Sequence, residues 1–481
     1  MKICVLQPDY STTGVDYKNY DPPRDLSGLV PEYEIHNVFL NKLTTYKQLK
    51  KLAKEGYDVF VNLCEGYLEW EVPSIDVIFT LELLNLPFTG PTSKLYDPPK
   101  ELMKYLAYCE GVNTPAYFLV NELSDIDKVI GRLEFPLFVK PAKAGDSLGI
   151  DDGSLVHTKI ELQQKCISIL EEYGPLLVEE YISGREFTVL VAANPDGHSA
   201  TVFRPVEYVF PRGQAFKTYE LKTSDLHPDC NVPCNDQELD LKLRLAADRI
   251  FRGFSGVGYA RLDFRVSDKG EIYFLEINFT CSVFYSDGFE GSADYILKYD
   301  GIGAAGFLRH IIMEGMARHK RKIKPYLVRG NSISGYGIYA SRNIAAGEVI
   351  FKGEGRAQKI ITRQFVERNW NEDEKRHFRR YAYPVSEELF ILWDEDPSEW
   401  APQNHSCDPN TVFEGLNVVA LKEISEGSEL TLDYAQFLDE HMEPFQCSCG
   451  SSNCRGLIMG IPGNSLTVRE RSKSVRPVSG K

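Results

Sequence analysis

The order of apolar and polar positions divides the chain into two unlike stretches. Over about the first 320 residues, short apolar runs alternate with helical patterns. Met1 to Leu6 reads as a first strand, ended at once by Gln7-Pro8-Asp9, and so as structure rather than a signal peptide. Tyr57 to Leu63 reads as a strand, and Ser74 to Leu84 repeats apolar positions at helical spacing. Together they predict a small α/β layer over 1–90. Gly90-Pro91 punctuates it, and Lys100 to Glu110 reads as a helix up to Gly111. Phe135 to Pro141 and Phe187 to Val191 read as strands, Ala304 to Arg318 as a closing amphipathic helix, and His319 to Pro325 as a short basic link.

One pair of strands carries polar residues at a telling period. Tyr259 to Val266 and Glu271 to Ile277 are joined by Ser267-Asp268-Lys269-Gly270, a hairpin signal. Pairing Val266 with Glu271 sets Asp263 opposite Phe274 and Arg261 opposite Glu276. Alternation then places Arg261, Asp263, Glu276 and Asn278 on one face. Three oxygen ligands beside one guanidinium suit a Mg2+ ion bridging phosphates; the alternative is a polar, solvent-facing side of a hairpin. Upstream, Lys140 ends a strand beside the loop Ala144 to Ile150, an arrangement that offers phosphate a point charge and backbone N–H donors.

Composition narrows the class. At 481 residues the chain suggests two to four domains, and 43% hydrophobic with 26% charged residues is ordinary for a soluble globular protein. A net charge of −15 argues against general affinity for nucleic acid or anionic membrane. No apolar run approaches the roughly 20 residues of a membrane span. Residues 461–481 form a basic tail expected to be disordered. Of the 11 cysteines, seven are scattered through the first 281 residues and read as buried reduced thiols, and four gather after residue 400. That usage, with an odd total, suggests a reducing compartment: the cytoplasm, without excluding the nucleus.

Those four cysteines belong to the second chemical stretch. Gln403-Asn404-His405-Ser406-Cys407-Asp408-Pro409-Asn410 is followed by Glu429-Leu430-Thr431-Leu432-Asp433-Tyr434 and then Cys447-x-Cys449-x4-Cys454. With Ser334 to Ala340, which carries Gly335, Tyr336 and Gly337, these motifs resemble a SET-domain protein-lysine methyltransferase with its post-SET zinc motif. The resemblance implies S-adenosylmethionine held by the Gly335–Gly337 segment, Asn404 and His405, and Tyr434 lining the channel for a protein lysine. It also implies one structural Zn2+ on Cys407, Cys447, Cys449 and Cys454.

The first two thirds resemble an ATP-grasp ligase, nearest the D-alanine–D-alanine ligases, on Leu176-Leu177-Val178-Glu179-Glu180-Tyr181-Ile182-Ser183-Gly184-Arg185-Glu186 and the Arg261 to Asn278 hairpin. The resemblance implies ATP phosphates on Lys104, Lys140 and the Ser147 loop, adenine on Glu179 and the Ile182 backbone, and ribose on Glu186. Lys222 would be the lid lysine, Asp263, Glu276 and Asn278 would hold Mg2+, and Arg261 would steady the tetrahedral intermediate. The Gln7 to Ser11 loop lacks the Gly-Gly and glutamate of those ligases, Thr223 follows the lid lysine, and Phe279 to Phe284 replaces their Thr-x-Pro-Gly. All three departures fall at substrate positions.

The fold expected is therefore multidomain. An α/β (α+β) ATP-grasp module (1–90 and 91–320) is followed by a linker (321–329), a mostly-β SET domain (330–440) and a zinc-binding segment (441–460). The function expected is an ATP-dependent carboxylate–amine ligase acting on an amino acid or peptide, joined to a methyltransferase acting on protein lysine. The ligase resemblance adds a possible homodimer. Two alternatives stay open: a SET module that only binds protein, or an ATP module that only regulates.

Overall fold

The computed structural model describes residues 1–11, 21–66, 71–143, 149–210, 216, 230–331, 335–354, 359–392 and 403–464. The chain forms two compact units, Met1–Lys322 and Ile323–Lys481.

The first unit is built on three sheets. In the N-terminal one, β1 (Lys2–Pro8) lies between β2 (Glu34–Leu40) and β3 (Val59–Asn62), both parallel to it. The middle strand and β3 are buried almost throughout, so they read as continuous apolar runs. The second sheet is antiparallel: β4 (Tyr117–Val120), β5 (Leu137–Pro141), β6 (Leu155–Val156) and β7 (Leu176–Glu180) stand in the order β4-β7-β5-β6. Helix Lys159–Tyr173, whose first turn is capped by the Thr158 side chain, covers it.

The third sheet is the largest. Its strands β8 (Gly184–Ala193), β9 (Ala200–Val202), β10 (Val206–Tyr208), β11 (Asn231–Pro233), β12 (Tyr259–Ser267) and β13 (Ile272–Asn278) run in the order β11-β10-β8-β12-β13, with β9 beside β8. Alternate residues of β8 and β12 serve two cores. Phe187, Val189, Val191, Ala260, Leu262 and Phe264 pack with Leu243, Ala247 and Ile250 of helix Gln237–Gly253. On the other face, Leu190, Ala192 and Tyr259 pack with Phe307 and Ile311 of helix Gly303–Lys322 and with Val5 and Val61 of the N-terminal sheet. Residues 1–90 thus share a core with the rest of the unit. Further along that second face the apolar residues stop, and Glu186, Thr188, Arg261, Asp263 and Arg265 take their places.

The hairpin turn is one residue tighter than expected. Ser267 pairs with Glu271 across Asp268-Lys269-Gly270, and Gly270 has φ 78°, the left-handed residue that a three-residue loop needs. Val266 therefore faces Ile272, and a regular ladder from there would set Glu276 opposite Leu262, on the wrong face. A bulge between Asp263 and Phe264 in the β12–β13 ladder, with Leu275 as the extra residue, corrects this. Asp263 ends opposite Glu276, and Arg261 opposite Asn278. The expected partners were wrong, but the expected face is right, because two one-residue shifts restore parity.

The second unit is mostly β, as expected. Tyr326–Asn331 pairs antiparallel with Gly335–Ala340, Asn404–His405 pairs parallel with Thr431–Leu432, and Phe445–Gln446 pairs with Leu457–Ile458. The expected linker at 321–329 needs correction. The preceding helix runs to Lys322 and a strand begins at Tyr326. The basic run His319 to Lys322 occupies the last helical turn, where cations meet the negative end of the helix dipole.

Among the described residues no helix is long and apolar enough to cross a membrane. All eleven cysteines are unbridged. Of the seven read as buried thiols, Cys109 is exposed and Cys230 only half-buried. Ser147, Lys222 and the tail beyond 464 lie outside the described residues.

Candidate active sites

The first site is the polar end of the β8–β12–β13 face. Asp263 is flanked by Thr188 on β8 and Glu276 on β13. Two carboxylates directly opposite one another repel, and such a pair is stable only with a cation between or beside them. Arg261 supplies one, its Nη2 lying 3.3 Å from Asp263 Oδ2. Burial opposes the charge on Arg261, but the neighbouring Asp263 and Glu276 outweigh it and raise its pKa. Asn278 Oδ1 accepts from the backbone N–H of Thr280 at 2.9 Å, which fixes the amide's orientation. Asp263, Glu276 and Asn278 thus offer hard oxygen donors from adjacent strands, a set that fits Mg2+. The Thr188 hydroxyl, buried beside Asp263, has no hydrogen-bond partner among the described residues.

Buried lysines continue the site. Lys104 Nζ and Lys140 Nζ lie 2.7 and 3.0 Å from the same Glu179 oxygen, and all three side chains are almost wholly enclosed. One carboxylate cannot satisfy two ammonium groups. Burial therefore lowers Lys104 to about 8 despite Glu179, with Lys140 adding repulsion, while Glu179 itself is held below its usual range by the two lysines against the effect of burial. Glu179, expected to meet adenine, bridges Lys104 and Lys140. Lys100, one helical turn before Lys104, sits 3.9 Å from Glu276, and burial lowers its pKa. Sequence reasoning missed Lys100, although the i, i+4 spacing puts it on the face of Lys104.

At the other end of the face, Ile182 and Glu186 are both held by Arg265, a second residue the sequence reading passed over. The Arg265 guanidinium donates to the Ile182 carbonyl at 3.1 Å, the Tyr181 hydroxyl at 2.9 Å and Glu186 Oε2 at 3.2 Å. The alternation that aligned Arg261 with Asp263 also places Arg265 on that side.

In the second unit the site is gathered from separate loops. The Asn404 side-chain amide donates to the Tyr336 carbonyl at 2.8 Å and to Glu429 Oε1 at 2.7 Å. Asn331 donates to the same Glu429 oxygen at 3.2 Å. A Cβ on Gly337 would lie 2.3 Å from that oxygen, so a larger residue there would displace the Glu429 carboxylate from its two amide donors. Gly335 has φ 86°, a left-handed conformation that favours glycine. Glu429 was quoted in the sequence only as part of a motif, yet it is the acceptor that joins the three segments.

The Tyr434 hydroxyl donates to the Gln403 carbonyl at 2.6 Å. Burial, with Tyr381 and Tyr336 nearby, keeps its phenol well above the usual range, so it stays protonated. His405 Nδ1 accepts the Tyr434 backbone N–H at 3.2 Å, and its Nε2 lies 3.4 Å from Cys407 Sγ. Burial lowers the His405 pKa. Its ring therefore ties Tyr434 to the first cysteine.

Cys407, Cys447, Cys449 and Cys454 bring their sulfurs within 4.8 Å of one another. Four sulfurs each about 2.3 Å from one ion would stand about 3.8 Å apart, and Cys407 Sγ and Cys447 Sγ are 3.9 Å apart. Backbone N–H groups of Cys449 and Arg455 donate to Cys447 Sγ and Cys407 Sγ, both at 3.4 Å, as suits thiolates. The set fits Zn2+.

These two sites and folds define a two-module chain, one module with an ATP-grasp face and one with a SET site followed by a cysteine cluster. Residues 111–284 match the model of the D-ala D-ala ligase C-terminus, and residues 335–435 match the SET domain. The chain is 28% identical over 200 residues to a D-alanine–D-alanine ligase of Aquifex aeolicus, covering 41% of this chain and 64% of that protein. It is 28% identical over 240 residues to D-alanine–D-alanine ligase B of Chromobacterium violaceum, covering 48% and 73%. An uncharacterized Sinorhizobium fredii protein is 31% identical over 245 residues, covering 50% and 70%. The D-alanine–D-alanine ligase structure from Coxiella burnetii aligns at 17% identity with a TM-score of 0.49, covering 67% of this chain and 97% of that one. Residues 111–284 therefore carry a D-ala D-ala ligase C-terminal domain, and residues 335–435 a SET domain behind it. Both are enzyme families.

Proposed function

We propose that the protein is bifunctional: an ATP- and Mg2+-dependent ligase that joins a carboxylate of an amino acid or peptide to an amine, and an S-adenosylmethionine-dependent methyltransferase of protein lysine. The observation that carries the first half is the facing pair Asp263 and Glu276 with Arg261 beside it, at the edge of a lysine cluster. A substrate carboxylate oxygen attacks the γ-phosphorus and ADP departs. An amine then attacks the acyl carbon, loses a proton, and phosphate leaves with the C–O bonding pair. When bound, Mg2+ neutralises charge on the phosphate oxygens. Asp263, Glu276 and Asn278 would hold it, Lys104 and Lys140 would set point charges on the phosphates, and Lys222 is the lysine that the resemblance assigns to the γ-phosphate. Arg261 donates to the oxyanion that forms at the acyl carbon. The departures from the family fall at substrate positions, so the nucleotide half of the site matches those ligases and the identity of the carboxylate and amine stays open.

The second half is supported by Asn404, Tyr336 and Glu429 meeting next to Gln403, which accepts from the Tyr434 hydroxyl, and by the cysteine cluster that His405 links to Tyr434. A neutral lysine nitrogen takes the methyl group, and the C–S bonding pair stays on sulfur. Tyr434 orients the amine in a narrow channel, and the energetic demand is alignment in a dry site. Zn2+ supplies a structural crosslink that closes the segment behind that channel. The test is phosphate release and methyl-label incorporation on one preparation, with amino acids, peptides and proteins as substrates. Phosphate release without methylation, or the reverse, would reduce the reading to one active module.

A further inference from the structure

We infer that Arg265 is a positioning residue for the nucleotide: it sets ribose recognition by clamping Glu186 and the Ile182 carbonyl. This rests on the ligase reading above, which assigns adenine to the Ile182 backbone and ribose to Glu186.

Arg265 sits directly across from Glu186 on neighbouring antiparallel strands, and its side chain is 4% exposed. A guanidinium is a rigid planar fork, so bonds to three acceptors at once fix their mutual geometry. Here the three are the Tyr181 hydroxyl, the Ile182 carbonyl and Glu186 Oε2. The guanidinium carbon also lies 5.0 Å from the Tyr181 ring centre and 5.6 Å from that of Phe210, so aromatic faces hold it in plane. Two consequences follow. Because the Ile182 carbonyl points at Arg265, the Ile182 N–H is the group of that residue left for the edge of the base. Because Arg265 neutralises Glu186, that carboxylate can stand near a polyphosphate and still accept hydrogen bonds from the ribose hydroxyls. Lysine, a compact ammonium on a flexible stem, lacks the planar fork that fixes these three acceptors relative to one another.

The experiment measures binding of ATP and of 2′-deoxyATP, each with Mg2+, to the full chain by calorimetry, alongside ligase kinetics. Arg265→Met should weaken ATP binding roughly tenfold to hundredfold, raise KM for ATP with little change in kcat, and nearly abolish the preference for ATP over 2′-deoxyATP. Arg265→Lys should fall between. Should Arg265→Met fail to fold, judged by melting of the ligase unit, Glu186→Gln must show the same loss of ribose preference with Arg265 in place. An Arg265→Met chain, or Glu186→Gln in its stead, that keeps the parental preference overturns the inference. A parent that binds and discriminates nucleotides but turns over no substrate refutes the ligase reading alone, since the clamp is still read by binding. A parent that does not bind ATP overturns both.

Discussion

The two metal-competent groups of this protein are built on opposite plans. The oxygen face lies within one hairpin, Arg261 to Asn278, whose alternate residues Leu262, Phe264, Phe274 and Ile277 are buried in a sheet core. Those strands would hold their register with or without an ion. The sulfur cluster joins Cys407 to a segment about 40 residues away, whose own structure is a two-residue strand pair, Phe445–Gln446 with Leu457–Ile458. Few apolar groups secure that segment. A metal on the hairpin is therefore a ligand of a finished fold, whereas a metal on the cysteines is part of the fold. Breaking each group should accordingly give different kinds of failure.

The largest expected effect is at the cysteines. Cys449→Ser leaves three thiolates, which hold structural zinc much less well than four. Because His405 links Cys407 to Tyr434, loss of the crosslink should release the segment from Gln446 to Gly456 and bring methyl transfer below detection. Ligase turnover should stay at the parental value, since its ligands are oxygens in the other unit. Zinc per chain and both activities are the measurements. A parent that methylates protein without zinc would sink this half of the comparison.

Glu276→Gln comes next. It keeps the size of the side chain and removes one ligand charge, so Mg2+-dependent turnover should fall roughly 100- to 1,000-fold. Melting temperature should hardly move, because the hairpin does not depend on the ion. Removing one of two opposed carboxylates even relieves repulsion. A large loss of stability would show that the face is structural, and the contrast with the cysteines would collapse.

Those same plans decided what was legible in the sequence. A strand's period of two is enough to put Arg261, Asp263, Glu276 and Asn278 together, and it survived an error in register because the Leu275 bulge added a second one-residue shift to that of the tighter turn, which restores parity. The bulge itself left no trace, as Leu275 extends the apolar run that Ile272, Tyr273 and Phe274 begin. Arg265 obeys the same parity, but a second guanidinium adds no oxygen ligand to the set that the period marks out, and its partners Tyr181, Ile182 and Glu186 come from another strand and its approach. Lys100 was readable from its spacing to Lys104. Glu429 was not: its partners Asn331 and Asn404 are distant in the chain, and only tertiary folding brings them together. The steric reason for Gly337 was hidden for the same cause. At His319 to Lys322, a run of charge that resembled a link is a helix end.

Tyr434→Phe is a smaller perturbation than either metal variant. It deletes the hydroxyl that donates to the Gln403 carbonyl and leaves the ring against His405 and Phe445. Methyl transfer should fall roughly 10- to 100-fold, the range expected when one buried hydrogen bond in a reacting geometry is lost. Zinc content and ATP turnover should be unchanged. If zinc were lost as well, Tyr434 would belong to the cysteine-supported framework rather than to the channel.

The smallest effect separates charge from structure on the ligase side. Lys104 is lowered to about 8 because it is buried, and Glu179, shared with Lys140, with a smaller contribution from Glu276, offsets this in part. ATP phosphates call for the protonated form. The value of kcat/KM for ATP, which reports the free enzyme, should therefore be level below about 8 and fall as pH rises through it. Glu179 is the group that raises Lys104, so Glu179→Gln removes support for the ammonium and should move the break toward neutral pH. At pH 7 the cost is a few-fold at most in kcat/KM, set by the fraction of Lys104 that loses its proton. The break in kcat itself should move less, since bound phosphates then supply the missing negative charge. Methyl transfer offers the internal control and should show no change in its pH profile. A break that stays where it was, or moves upward, would mean that Glu179 does not govern the phosphate lysines and that its carboxylate serves the base after all.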